Sequence, residues 1–411
     1  MKISNLRLET VEGGCRAVAD VAWEDSDRPR SQLTFQTTPE WADALEPNPE
    51  AFLTACVPVA ARHRERRVRV EGAVSPRLRD GLLAASHTMR QWYGTTPPVP
   101  AIESDRGFTP GAPAGRARVV SMMSGGVDSL ATLRANRLDY PSDHPGAVRE
   151  CLIIHGLNSR DFGDAAAERL AQYWRTVDGL GAVGRDAQVR LVPLVTNYRT
   201  IDPDYPAWAY KYHGAALAAA AHLFSGRFTR QLIPSSYDVQ ASLRPWGSHP
   251  MTDPWYSSDR LEVQHHLAHL RRIDKVRLLA DWEVGLQNIR ACFWIDTPNG
   301  QLNCGRCDKC LRTMLELAAV GRLGHTAAFP SELTADMLHE DVIGTFYHKE
   351  YFLECVDLLA ARGRDDLVRA VRRAIAAYDA SKRVTWKARL RAFDQRHTGG
   401  RLMRLKEALV G

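Results

Sequence analysis

At 411 residues the chain exceeds one typical domain, and two or three are expected. A hydrophobic share of 45% beside 25% charged residues is that of a globular protein with a sizeable core, which excludes a disordered or fibrous chain. The formal charge of +6 permits an anionic partner without demanding one, and no apolar run nears the ~20 residues that cross a bilayer.

No secretory pattern opens the sequence, so a cytoplasmic location without a membrane partner is expected. Residues 1–94 read as an α+β module. MKISNLRLET, CRAVADVAW and QLTFQTT alternate apolar and polar residues as half-buried strands do. A helix over 49–64, a strand over 67–71 and a helix from Ser75-Pro76 to about Tyr93 follow. Residues 95–116, rich in proline, glycine and small residues, read as a linker.

From 117 to 325 strands alternate with helices, the pattern of an α/β fold built on a doubly wound parallel sheet. Strands are predicted at 119–123, 151–157, 189–195 and 231–235, with helices at 164–180 and 211–224. Polar residues follow the strands: Ser124, then His155 and Asn158, then Thr196 and Asn197, then Ser235, Ser236 and Asp238. Ligands of open α/β sheets bind outside such carboxyl ends. The first strand runs directly into Ser124-Gly125-Gly126-Val127-Asp128-Ser129 and a helix start. Two glycines allow a tight turn and close approach of a ligand, and amide groups at a helix N-terminus attract phosphate. No Gly-Lys-Ser/Thr follows, so this is not a Walker A loop.

The stretch 244–260 places prolines and tryptophans around Ser248, His249 and Asp253, the composition of a rigid pocket wall or a self-packed surface loop. Beyond it, helical spacing would put His265 and His269 on one face, but the pattern is not HExxH. A helix over 273–282 has Asp274 as a candidate cap and Lys275 in its first turn, able to reach phosphate. Cys292, Cys304, Cys307 and Cys310 form a spaced set that can surround a tetrahedral ion as thiolates within a knuckle over 292–310. Four protein ligands make such a site structural; zinc is the expected ion and an iron–sulfur cluster its rival. Residues 326–411 read as a helical extension, with a basic stretch from Lys382 to Lys406 containing Trp386, Phe393 and His397.

The glycine loop, the Ile273-Asp274-Lys275 helix start and the four cysteines together resemble the PP-loop family of N-type ATP pyrophosphatases, specifically its 7-cyano-7-deazaguanine synthase (QueC-like) branch. The resemblance covers about residues 118–319; the N-terminal module and C-terminal extension lie outside it. It implies a PP-loop (HUP-like) fold, ATP held with magnesium, and zinc on Cys292, Cys304, Cys307 and Cys310. It implies cleavage of ATP to AMP and pyrophosphate, activating a carboxylate or amide, with a 7-deazaguanine-type acceptor as one candidate, for amide or nitrile formation by ammonia or an amine. On this basis Asp128, Ser129 and Lys275 are the expected catalytic residues, and Ser124, Gly125, Gly126, Val127, Asp128, Ser129, His155 and Asn158 bind the nucleotide. Ser236, Asp238, His249 and Asp253 are expected to face the acceptor. Two other readings use the same residues: a tRNA or DNA modification enzyme, helped by the basic tail, or an antiphage-system component with the same adenylation chemistry, and a non-catalytic nucleotide-binding subunit. A homodimer is compatible with each.

Overall fold

The computed structural model describes residues 1–94, 98–111, 118–239, 244–292, 297, 301–330 and 332–382. Its architecture is α/β, with one ten-stranded, mostly parallel sheet and a helical C-terminal region. Met1–Ser331 forms one compact unit and Glu332–Gly411 a second.

The first three strands, β1 (Lys2–Val11), β2 (Gly14–Ala22) and β3 (Ser31–Thr37), form an antiparallel meander. Short connections between alternating segments favour that pairing. Helix α1 (Pro49–Arg62) begins at Asn48, whose side chain accepts from the Glu50 amide at 2.9 Å, and its first-turn proline needs no donor. Strand β4 (Arg67–Val70) runs parallel to β1. Helix α2 (Pro76–Tyr93) is capped by Ser75, as the sequence suggests, and ends at Gly94 in the left-handed conformation. The expected linker over 95–116 contains an element of its own: β5 (Ala101–Ser104) pairs in parallel with β4 and ends the sheet. Residues 95–97 and 112–117 of that stretch lie outside the described residues.

Five parallel strands follow: β6 (Val119–Met122), β7 (Val148–His155), β8 (Arg190–Thr196), β9 (Arg230–Pro234) and β10 (Glu262–His266). Every residue of β6 is buried, the condition of a central parallel strand covered on both faces. The full order is β10-β9-β6-β7-β8-β3-β2-β1-β4-β5. The N-terminal strands therefore have no sheet of their own; β3 pairs antiparallel with β8, setting Phe35 opposite Thr196 and Thr37 opposite Leu194.

Helix α3 (Val127–Asp139) links β6 to β7, and α4 (Ala166–Asp186) links β7 to β8. The chain then crosses back over β6 to reach β9, preceded by α5 (His213–His222). Right-handed crossovers with such a reversal place α3 and α4 on one face and α5 on the other. Accordingly α5 packs against α1, whereas α3 packs against α6 (Arg272–Ala280). The helix expected over 211–224 is preceded by a π-helical turn at Trp208–Tyr212. His265 lies on strand β10 and His269 in a turn beyond its end, so the two share no helical face. Asp274 is no cap either: α6 starts after Arg271 and Asp274 pairs with Arg271 and Arg277.

The second unit contains α8 (Phe346–Ala360), capped by Thr345, and α9 (Asp365–Lys382), which pack together with an ion pair between Lys349 and Asp379 at 2.7 Å. Apart from Lys382, the basic stretch with Trp386, Phe393 and His397 lies outside the described residues. Among the described residues no helix is long and apolar enough to cross a membrane.

Candidate functional site

The reversal in strand order falls between β6 and β9, and open α/β sheets bind ligands outside the carboxyl ends of strands at such a reversal. The glycine loop leaves β6 at this point. Gly125 has φ +76°, a left-handed conformation that suits glycine. A Cβ there would stand 3.2 Å from the Arg290 Cβ, and one on Gly126 would stand 3.3 Å from the Ser124 Oγ. The loop closes on itself through hydroxyls. The Ser129 Oγ donates to the Gly126 carbonyl at 2.9 Å, and the Ser124 Oγ accepts from the Gly126 amide at 3.3 Å. Gly126 is the extended N-cap of α3 with no side-chain cap, so the amides of the first turn have no carbonyl before them and favour an anion.

Asp128 and Lys275, separate in sequence, meet here. Lys275 is 1% exposed; its Nζ donates to the Ser235 carbonyl at 2.6 Å and Oγ at 2.8 Å, and lies 3.6 Å from the Asp128 Oδ1. Burial lowers the Lys275 pKa, and Asp128 opposes that shift. Ser236 and Asp238 follow Ser235 at the end of β9, and Asp238 also acts on Lys275.

Sequence reading missed Arg272. Its Nη1 donates to the Asp128 Oδ2 at 2.8 Å and its Nε to the Glu316 Oε2 at 3.2 Å. Glu316 lies on α7 (Asp308–Ala319), the helix that emerges from the cysteine knuckle. Burial pushes its carboxyl upward while Arg272 and Arg312 pull it down. An arginine beside a recognised helix start carries little signal without knowing that a carboxylate on α7 comes to meet it.

At the end of β7, His155 packs on Tyr173 at 5.2 Å and faces Asp161. Burial lowers its pKa, Asp161 raises it, and Arg290 lowers it further. Asn158 caps a short turn, accepting from the Arg160 amide, while Asp161 accepts from the amides of Gly156 and Asn158. His155 and the loop thus share Arg290 as a neighbour: the Arg290 amide donates to the Gly125 carbonyl at 2.8 Å.

His249 and Asp253, expected to face the acceptor, are buried among the described residues. Asp253 is fully buried, and its carboxylate accepts from the Ser248 hydroxyl at 2.6 Å and the His249 amide at 3.1 Å and pairs with the His265 Nδ1 at 2.8 Å. His249 is 3% exposed and packs edge-on to Trp92 at 4.7 Å. The expected pocket wall is a buried polar hub that ties the proline-rich loop to α2 and β10. A buried carboxylate needs these donors, and the composition of the loop does not reveal that it turns inward.

The ligand atoms of Cys292, Cys304, Cys307 and Cys310 all lie within 4.8 Å of one another. Cys292 and Cys307 are 3.9 Å apart at sulfur, and Cys304 and Cys310 are 3.8 Å apart. A tetrahedral zinc with Zn–S bonds of about 2.3 Å needs sulfur separations of about 3.8 Å. The set can therefore hold a metal ion such as zinc, and its spacing fits a single ion. The Cys292 contact holds the Cys307 thiol up, at about 11, while the Cys310 contact lowers it. Gly305, at φ +67°, makes the knuckle turn. Buried Asn303 fastens the first cysteine: its Oδ1 accepts from the amides of Ala291 at 2.7 Å and Cys292 at 3.1 Å, and its Nδ2 donates to the carbonyls of Ile289 and Ala328.

Comparison with family models, curated proteins and solved structures returned no match.

Proposed function

We propose that the protein is an ATP-dependent adenylating enzyme of the PP-loop type with structural zinc on its four cysteines. The observation that carries this reading is the convergence at the β6/β9 reversal of the 124–129 loop, Asp128, Arg272 and Lys275. A strand–glycine turn–helix start offers amides to phosphate, and two buried cations add charge of the right sign.

In this reading an acceptor carboxylate oxygen attacks the α-phosphorus of ATP, the bond to the bridging oxygen breaks, and pyrophosphate leaves onto the 124–129 loop. Ammonia or an amine then attacks the acyl carbon, AMP departs, and the nitrogen loses its extra proton to give an amide. Ser124, Ser129 and the first amides of α3 hold the leaving group; Lys275 stabilises the charge it gains. Asp128 has one carboxylate oxygen buried without a hydrogen bond and is the residue that would hold magnesium, whose contribution is to neutralise phosphate oxygens. His155 and Asn158 flank the nucleotide; Ser236 and Asp238 stand on the acceptor side.

The test is to incubate the metal-loaded protein with ATP, magnesium, ammonium and a panel of carboxylic acids, deazapurine acids among them. AMP and pyrophosphate in equal amounts are expected, with loss of both in Asp128→Asn and Lys275→Ala. Release of ADP and phosphate alone under every condition would sink the proposal.

A further inference from the structure

Around the glycine loop the cations are not alike in their partners. Arg272 is shared between Asp128 and Glu316, and Lys275 is held by Ser235 beside Asp128. Arg290 is half-buried, yet among the described residues its guanidinium has neither a hydrogen-bond acceptor nor an ion-pair carboxylate. The Cys292 sulfur and then Asp161 act on it through space, and the Asp161 carboxylate already accepts two backbone amides through Oδ2. A half-buried guanidinium with no hydrogen-bond acceptor among the described residues is open to a bound anion, which would make charge-assisted hydrogen bonds with it.

The position of Arg290 is also fixed. Its amide is hydrogen-bonded to Gly125, its Cβ packs where a Gly125 side chain would be, and its carbonyl lies 3.7 Å from where a Gly126 Cβ would stand. Two residues further on, Cys292 is clamped by Asn303. The side chain therefore departs from the loop itself, near His155, from a backbone anchored at both ends.

We propose that Arg290 binds the oligophosphate of the nucleotide over the glycine loop, taking non-bridging oxygens through its guanidinium fork. This rests on the nucleotide reading of the loop and adds to it a phosphate-binding residue outside the glycine motif. A planar fork suits phosphate oxygens, so arginine serves here better than a point charge would.

Calorimetric titration of the full-length, zinc-loaded protein with magnesium ATP and, separately, with magnesium pyrophosphate tests the assignment. Arg290→Ala should weaken both ligands by about 10- to 100-fold, the loss of a charged, bidentate contact, and Arg290→Lys should recover part of it. Zinc content and melting temperature should match the wild type, and Arg277→Ala, an exposed charge on α6, should bind normally. Arg290→Gln supplies the same comparison should the alanine variant not fold. Wild-type binding with unchanged affinity in the Arg290 variants would overturn this proposal alone. A wild type that binds neither ligand would overturn it together with the nucleotide reading.

Discussion

Arg272 donates to Asp128 at 2.8 Å across 144 positions of sequence, and the same guanidinium reaches Glu316 on the helix that follows the cysteine knuckle. The carboxylate of the glycine loop is thus linked through Arg272 to the helix that also carries Cys310. Removing Arg272 leaves Glu316 buried with only the looser Arg312 contact at 4.0 Å. Arg272→Ala should cost about 3–5 kcal/mol in urea unfolding, and Arg272→Met combined with Glu316→Leu should cost clearly less than the sum of the single changes. Additive losses would show that the pair is not coupled.

Metal removal should act on the fold before it acts on any chemistry. Elemental analysis of purified protein should find about one zinc per chain. Cys304→Ser should lose it and melt at a lower temperature, and chelation should bring the wild type down to the same point. Asn303→Ala, which touches no sulfur, should weaken zinc retention because the backbone of Cys292 is no longer held. Full zinc occupancy and an unchanged melting temperature in Asn303→Ala would show that the clamp is dispensable.

Asp253 should behave as a structural residue. Asp253→Ala strips Ser248, His249 and His265 of a shared acceptor and should cost roughly 2–4 kcal/mol, seen as a lower urea midpoint. Normal stability with a selective rise in KM for the acceptor would restore it to the substrate site.

His266 predicts a pH signature. Burial, with His269 next, lowers its pKa to about 4, and its Nδ1 is buried without a hydrogen bond; Asp139, Lys275 and His265 also act on it. The native state therefore keeps it neutral while the unfolded chain takes up a proton near pH 6.5. Its contribution is complete at neutral pH and is lost progressively as pH falls from about 6.5 to about 4. At about 1.4 kcal/mol per pH unit the loss reaches up to roughly 3 kcal/mol. The stability gap between wild type and His266→Gln should shift against the wild type by that amount between pH 7 and pH 4. A constant gap would place the proton elsewhere.

Gly125 tests the loop itself. Gly125→Ala meets both a left-handed φ of +76° and the Arg290 Cβ, and should cost about 1–2 kcal/mol while weakening magnesium ATP binding more than fold stability explains.

The local features were legible in the sequence because they are set within a few residues. A buried run followed by two glycines and a helix start fixes the loop after β6. Ser75-Pro76 announces the start of α2, and the cysteine spacing already defines a tetrahedral donor set. Other features depend on which distant segments share an edge or a charge. Strand β3 pairs with β8, so the first strands extend the sheet of the loop; the chemistry of neither strand names its partner. His265 reads at helical spacing and Asp253 as facing the acceptor until β10 pairs with β9 and the proline-rich loop folds inward, where a buried carboxylate must find donors. Arg290, Arg272 and Asn303 lie in no motif. Their places come from charge compensation and backbone hydrogen bonds between segments far apart in the chain, and only the packed tertiary structure decides those.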